Sequence, residues 1–237
     1  MISYNLYLES GPCQRKTMVH MLDMLGCIAT GSTTQEALDV TPDAIKAYLS
    51  FLHRHGEPVE VDVPFSTQVV EHIMEGPWLG NGNPAGGFTP DFASLTLPQR
   101  DRYLARLIWL HDDTLNLIRG LSIDVLIAEP PDKGRTIHHI LTHQAEAEYA
   151  YLQAALRKTP GLHTAMQATK DHPEEIVGTL TGFWRVSTER LQGLTAIELE
   201  QQTQRGQVLW TARRMFRRLL EHSWEHMQEI THRLDSV

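Results

Sequence analysis

Two histidines, His222 and His226, lie four residues apart in a strongly helical segment near the C-terminus of the chain. An α-helix turns once in about 3.6 residues, so side chains at positions i and i+4 point in the same direction, one above the other. Two imidazoles held in this way can bind one transition-metal ion. The spacing therefore indicates a metal site in which these residues are two of the ligands.

The two histidines continue an apolar stripe along the same helical segment. Met215, Leu219 and Ile230 are related to them by steps of three or four residues. Such a stripe is expected to face a core. Because an unpaired polar group in a core is costly, each imidazole there needs a partner, either a metal ion or a hydrogen-bonding group.

The spacing alone is weak evidence for a metal. The chain contains 13 histidines in 237 residues, and random placement gives roughly one pair at i,i+4. A second pair with the same spacing, His139 and His143, is present. A metal site therefore requires that the histidines occupy a core-facing side of their helices and that a third ligand joins them.

A second helical segment offers that third ligand. His143 stands at steps of three and four from Ile140 and Ala147, whereas His139 has polar neighbours at comparable steps. His143 is therefore predicted to face the core. His139 is predicted to lie on the surface.

A site of three imidazoles, His143, His222 and His226, leaves coordination positions open. Open positions are typical of catalytic or substrate-binding metals, and imidazole ligands suit Zn, Ni, Fe, Cu or Co. Metal-bound water has a lowered pKa and can act as a nucleophile or base. Glu146 and Glu225 are candidates for a carboxylate that orients a ligand. His111 is a less favoured fourth ligand.

Helices must position these residues, and the pattern is helical from residue 98 onward. Four amphipathic segments joined by short to moderate loops predict an all-α, up-and-down four-helix bundle over residues 98–237. Bundle cores commonly hold metals on inward-facing side chains. The predicted helices cover residues 98–121, 136–157, 173–194 and 207–234.

Residues 1–64 predict a small α+β module. A helix is predicted to begin at the Ser/Thr cap of Ser32-Thr33-Thr34-Gln35-Glu36 and to stop before Gly56, with Pro42 kinking or dividing it. Residues 59–63 alternate strictly, as a closing strand would. Three earlier strands are predicted at residues 2–8, 17–24 and 27–30. Residues 65–97, dense in Gly, Pro and Asn, predict a linker or an ordered arm.

The composition limits the classes of function. A formal net charge of −8 and a pI near 5.9 argue against a general nucleic-acid binder. No apolar run reaches the length of about 20 residues that crosses a membrane. With two cysteines, Cys13 and Cys27, the chain lacks a disulfide framework, so a cytoplasmic location is expected. Cys27 lies in an apolar strand, which indicates a structural rather than a reactive thiol.

Four arginines form a basic cluster on the last helical segment: Arg213, Arg214, Arg217 and Arg218. We favour a solvated helix face in which Arg217 pairs with Glu221 at i+4. The alternative is a binding site for an anionic substrate or for the carboxylate of a thiol cofactor.

The C-terminal part resembles the DinB-like (DinB/YfiT-type) family of metal-binding four-helix bundles. The resemblance is carried by Arg135-Thr-Ile-His-His-Ile-Leu-Thr-His143-Gln-Ala-Glu-Ala-Glu148 and by residues 210–226, which contain the H-x-x-x-H of His222 and His226. It implies that these two histidines and His143 form the metal triad. It also implies a homodimer and, from the thiol-dependent members, a low-molecular-weight thiol as a further cofactor.

The N-terminal part resembles the HicB-like antitoxin fold over about residues 1–64. The matching stretch runs from Leu25-Gly26-Cys27 to Gln35-Glu36-Ala37 and continues after a helix with Gly56-Glu57-Pro58-Val59. No DNA-binding segment follows, so a repressor role is not implied and no nucleic-acid partner is expected.

The first functional hypothesis is a metal-dependent enzyme of the thiol S-transferase or hydrolase type. The metal would activate a thiol or water toward a small-molecule substrate. The alternative is a non-catalytic stress-response or protein-interaction module with a structural metal or none. An enzyme is expected to keep open coordination positions, whereas a structural site is closed.

Overall fold

A computed structural model describes residues 2–12, 15–76, 78–82, 86–131, 133–156 and 158–235 of the chain. Within these residues the N-terminal part is an α+β layer, and the part after residue 96 is mainly helical. Buried residues of both parts form one continuous core. The sheet and the helices are therefore packed together rather than separated by solvent.

A four-stranded sheet forms the N-terminal layer. Its strands are β1 (Ile2–Ser10), β2 (Arg15–His20), β3 (Ile28–Thr33) and β4 (Phe65–Ile73), in the order β3-β2-β1-β4. Both pairings of β2 are antiparallel, whereas β4 runs parallel to β1. The register of β4 on β1 shifts after Leu6, which marks a β-bulge.

Helix α1 (Thr34–Arg54) begins where the Ser/Thr cap predicted it. Thr33 Oγ1 accepts a hydrogen bond from the backbone N–H of Glu36 at 3.1 Å, which satisfies a free donor of the first turn. The helix packs on β2 and β3. Pro42 lies inside it without dividing it, so the helix is continuous up to the turn at Gly56.

Two strand predictions in this part are wrong. Residues 59–63 are irregular, and the fourth strand is β4, which lies in the segment predicted to be a linker or arm. Prolines 58 and 64 flank the alternating segment, and a proline cannot donate to a strand ladder. Most of β4 is exposed on both faces, so it lacks the alternation that marks a half-buried strand. The strand predicted at 17–24 ends at His20, and a 3-10 helix covers Leu22–Met24.

The helical part contains four long helices close to the predicted segments. They are α2 (Leu97–Ile118), α4 (Ile137–Ala155), α6 (Ile176–Gln192) and α8 (Ala212–Asp235). Helix α2 packs on α6 and α8, and α4 also packs on α6 and α8. The described residues also form 3-10 helices at Thr89–Phe92 and Pro173–Glu175, and the shorter elements α3 (Ile123–Ile127), α5 (Leu162–Asp171), α7 (Ala196–Glu200), β5 (Gln202–Arg205) and β6 (Val208–Thr211).

Helix α8 is the most buried of these elements. Every residue from Arg214 to Trp224 is buried, so this stretch of helix has no solvated face. The apolar stripe and both histidines on it lie in the core as predicted, with Ile230 fully buried and His226 2% exposed. No helix among the described residues is long and apolar enough to cross a membrane.

Candidate metal centre

The three predicted histidines meet between α4 and α8. His143 projects from α4, and His222 and His226 project from successive turns of α8. The Nε2 atom of His222 lies 3.3 Å from Nε2 of His143 and 3.0 Å from Nε2 of His226. One ligand nitrogen from each residue lies within 4.8 Å of the others. Three imidazole nitrogens thus converge on one small volume.

These separations fit a shared metal ion. A tetrahedral ion with metal–nitrogen bonds of 2.0–2.1 Å holds two imidazole nitrogens about 3.3 Å apart. The distances from His222 to His143 and to His226, 3.3 and 3.0 Å, are close to this value. The donor set is also chemically suitable, because neutral imidazole is a good ligand for Zn, Ni and Fe.

The surroundings keep two of the imidazoles neutral. Burial lowers the pKa of His143 to about 4, and the neighbouring His226 and Arg135 add to this shift. Burial also lowers the pKa of His222 well below its usual range, assisted by His226 and Arg218. A metal binds the neutral form of imidazole, so both residues are in the ligating form at neutral pH.

Glu229 determines the tautomer of His226. Its Oε2 atom lies 2.8 Å from Nδ1 of His226, and the same oxygen accepts a hydrogen bond from Arg135 at 2.8 Å. A carboxylate only accepts, so Nδ1 of His226 carries a proton and Nε2 is the ring nitrogen that can ligate a metal. A carboxylate behind a ligating histidine commonly orients it and raises its basicity.

Tyr151 packs against His222 at the border of the site. Its ring meets that of His222 edge-on, with the centroids 5.9 Å apart. Its hydroxyl accepts a hydrogen bond from Arg218 at 3.1 Å. The ring of His222 is therefore held by packing against a tyrosine that is itself fixed.

The three ligating candidates differ in exposure. His222 is 8% exposed and His226 is 2% exposed, whereas His143 is only half-buried. The site is therefore approached from solvent on the His143 side. His143 is thus the member of the triad most exposed to solvent.

The other residues singled out in the sequence have different partners. Glu146 forms an ion pair with Lys170, and His139 is exposed as predicted. His111 is buried away from the triad, with Nε2 3.1 Å from Glu148 and its ring stacked on Trp184 at 4.2 Å. The carboxylate that contacts a triad histidine is Glu229, three residues after His226, and neither Glu146 nor Glu225 has this contact.

The arginine cluster on α8 corrects the interpretation as a solvated face. Arg214, Arg217 and Arg218 are 2%, 0% and 3% exposed. The predicted pairing of Arg217 with Glu221 is confirmed at 3.2 Å, and Arg218 donates to the same oxygen at 3.1 Å. Helical periodicity identifies residues that share a face, but it does not show whether that face meets solvent. Between Arg214 and Trp224, α8 is surrounded by protein and has no solvated face.

This buried network joins α8 to the sheet and to the connecting segment. Nδ1 of His20 on β2 lies 2.8 Å from Glu221, and Arg217 donates to Asp91 at 2.8 Å and to the carbonyl of Gly86 at 2.9 Å. Burial alone raises the pKa of Glu221, but the neighbouring His20 and Arg217 outweigh it and lower the pKa to about 2. The carboxylate is therefore ionised and paired throughout the neutral range.

Comparison with known protein families decides the family. The family model of the DinB superfamily matches residues 106–230, more than half of the chain. The chain belongs to the DinB superfamily. The matched range includes α4 and most of α8, and with them all three histidines of this DinB protein. Neither the curated proteins nor the solved structures include a match to the chain.

Proposed function

We propose that this DinB protein is a metal-dependent enzyme that holds one divalent transition metal on His143, His222 and His226. The observation that carries the proposal is the convergence of three imidazoles between α4 and α8, with Nε2–Nε2 separations of 3.0 and 3.3 Å and with His143 half-buried. Zn, Ni and Fe all suit this donor set. In this proposal the four long helices α2, α4, α6 and α8 form an up-and-down bundle that supports the site.

When bound, such a metal supplies Lewis-acid chemistry, which lowers the pKa of a coordinated thiol or water. A low-molecular-weight thiol and an electrophilic small molecule are the substrates of the transferase form of the proposal. Water replaces the thiol in the hydrolase form. Three protein ligands leave room for either nucleophile, which a closed four-ligand structural site does not.

The chain's own residues prepare the ligands for this role. Glu229 accepts a hydrogen bond from Nδ1 of His226 and so leaves Nε2 as the nitrogen that faces the other imidazoles. Arg135 fixes the Glu229 carboxylate through an ion pair of 2.8 Å. Tyr151 holds the ring of His222 by an edge-on contact. These supports limit the reorganisation needed when a ligand binds.

Two further parts of the proposal rest on the sequence. The HicB-like resemblance of residues 1–64 stays a prediction, consistent with the three antiparallel strands and the helix in that range. A cytoplasmic location rests on the small number of cysteines, of which Cys27 is fully buried with its thiol pKa raised by burial.

Cobalt substitution tests whether the site is open. Purified protein loaded with Co(II) is titrated with a small thiol, and the absorbance is recorded. The proposal predicts a new thiolate-to-cobalt charge-transfer band that saturates with the thiol, because a free coordination position admits it. The matched variants are His222→Ala, which removes a ligand, and His139→Ala, which removes an exposed histidine of the same helix as His143.

The expected result is a band in the wild type and in His139→Ala and its loss in His222→Ala. A cobalt spectrum that does not respond to thiol, azide or other small ligands would show a closed, structural site. That outcome would favour the non-catalytic alternative and contradict the proposed enzyme.

A further inference from the structure

Strand β4 is an unprotected edge of the sheet. It pairs with β1 on one side, and no other described strand pairs with it. Five consecutive residues, Ser66 to Val70, are exposed. The opposite edge differs, because β3 has six residues and α1 follows it directly and packs on it.

The composition of β4 suits pairing rather than protection. Natural edge strands are commonly blocked by Lys, Pro, shortness or a bulge, whereas β4 has nine residues, no Lys or Pro, and of these features only the bulge. Val69 and Val70 are 48% and 47% exposed, and the following Met74 is 54% exposed. The bulge at Val70 twists the strand but leaves these side chains uncovered.

The polar side chains of β4 at its C-terminal end are held by this chain. Glu71 Oε2 accepts a hydrogen bond from the backbone N–H of Thr89 at 3.0 Å, and Nε2 of His72 lies 2.7 Å from Oγ of Ser10. Burial lowers the pKa of His72, so it adds no charge at neutral pH. The outward surface of β4 is therefore apolar at its centre and carries one carboxylate.

We propose that β4 pairs antiparallel with β4 of a second copy of this chain, about a two-fold axis between Val69 and Val70. The two four-stranded sheets would then form one continuous eight-stranded sheet. In this register each Val69 lies opposite Val70 of the second copy, and Glu71 lies opposite Gln68 rather than another carboxylate. The net charge of −8 opposes self-association less at such a locally neutral surface than at an acidic one.

A second copy fits this edge because the strand complements itself. Two-fold pairing brings the apolar centre of each strand onto the other and separates the two carboxylates. The strand is about 30 Å long and a sheet about 10 Å deep, so backbone pairing alone covers about 300 Å² of each copy. Specific interfaces need about 800 Å² per partner, so the exposed Met74 and Trp78, 54% and 79% exposed, are expected to contribute.

Light scattering coupled to gel filtration tests the proposal at rising protein concentration. The wild type is expected to approach twice the chain mass of 26.9 kDa. The variant Val69→Lys/Val70→Lys places cations on the edge, as natural edge strands do, and is expected to remain at the mass of one chain. The matched control is Val40→Lys, which changes a valine of α1 that is 45% exposed and is expected to remain dimeric.

Circular dichroism and thermal unfolding establish that the variants are folded, since all three valines are exposed. Hydrogen exchange supplies the second measurement: the amides of residues 65–73 are expected to exchange more slowly in the wild type than in the double variant. A wild type that stays monomeric at high concentration contradicts the proposal. A double variant that stays dimeric also contradicts it, because the dimer then uses another surface.

Discussion

At the residue scale, the triad depends on groups that control the protonation of its imidazoles. Burial lowers the pKa of His143 and His222, and Glu229 accepts a hydrogen bond from Nδ1 of His226. His143 and His222 are therefore in the neutral form that a metal binds at neutral pH. The i,i+4 rule predicted which histidines share a face, because helix geometry fixes that relation.

Replacing Glu229 by alanine is expected to weaken metal binding by about 10- to 100-fold, since a carboxylate behind a ligating histidine contributes that much. The physical reason is that Nδ1 of His226 loses its acceptor and the ring its orientation. Affinity is measured by competition with a chromophoric chelator.

The matched control is Glu225→Ala on the same helix, one turn earlier than Glu229. It removes a carboxylate of the same length, and its affinity is expected to equal that of the wild type. Equal affinities for wild type and Glu229→Ala would show that this carboxylate does not position His226.

At the element scale, α8 carries both metal ligands and the buried network beside them. Glu221 directly precedes His222 and is contacted by Arg217, Arg218 and His20. The network therefore fixes the helix that presents the site. Removing one member leaves buried charges without a partner, which costs much more than losing a surface ion pair.

The variant Glu221→Gln is expected to lower the free energy of unfolding by about 3–5 kcal/mol, the range for breaking a buried ion pair. The control is Glu189→Gln in the exposed pair with Arg185, whose side chains are 61% and 65% exposed. That change is expected to cost less than about 0.5 kcal/mol. Urea unfolding in the presence of a chelator measures both. Identical urea midpoints for wild type and Glu221→Gln would contradict the role assigned to the network.

The sequence predicted the elements whose buried face leaves a periodic apolar pattern. It did not predict the elements that lack such a pattern. The four long helices and the cap at Thr33 follow from apolar spacing and capping chemistry. Strand β4 was missed because an edge strand exposed on both faces has no alternation. The hairpin β5–β6 was missed because four-residue strands are too short for a period to be recognised. Glu229 was missed although i+3 pairs are neighbours on a helix.

At the scale of the whole molecule, the N-terminal sheet and the helical part share one core and one ionic network. His20 and Glu221 are 201 residues apart in sequence, and Asp91 and Arg217 are 126 apart. No local pattern relates residues so distant, so the burial of the arginines could not be predicted from the sequence. The histidine triad could be, because two of its members share one helix, apolar spacing placed the third on a core face, and the resemblance pointed to the same three residues.

Metal content of protein purified without a histidine tag tests the central claim most directly. Elemental analysis is expected to find about one equivalent of a divalent transition metal per chain in the wild type and in His139→Ala. The reason is that folding brings the three ligands together and the folded chain then binds the metal. His143→Ala, His222→Ala and His226→Ala are each expected to retain a small fraction of it and to lose the thermal stabilisation that added Zn or Ni gives the wild type. A wild type with less than about a tenth of an equivalent, and with no gain in melting temperature on adding either metal, would contradict the account.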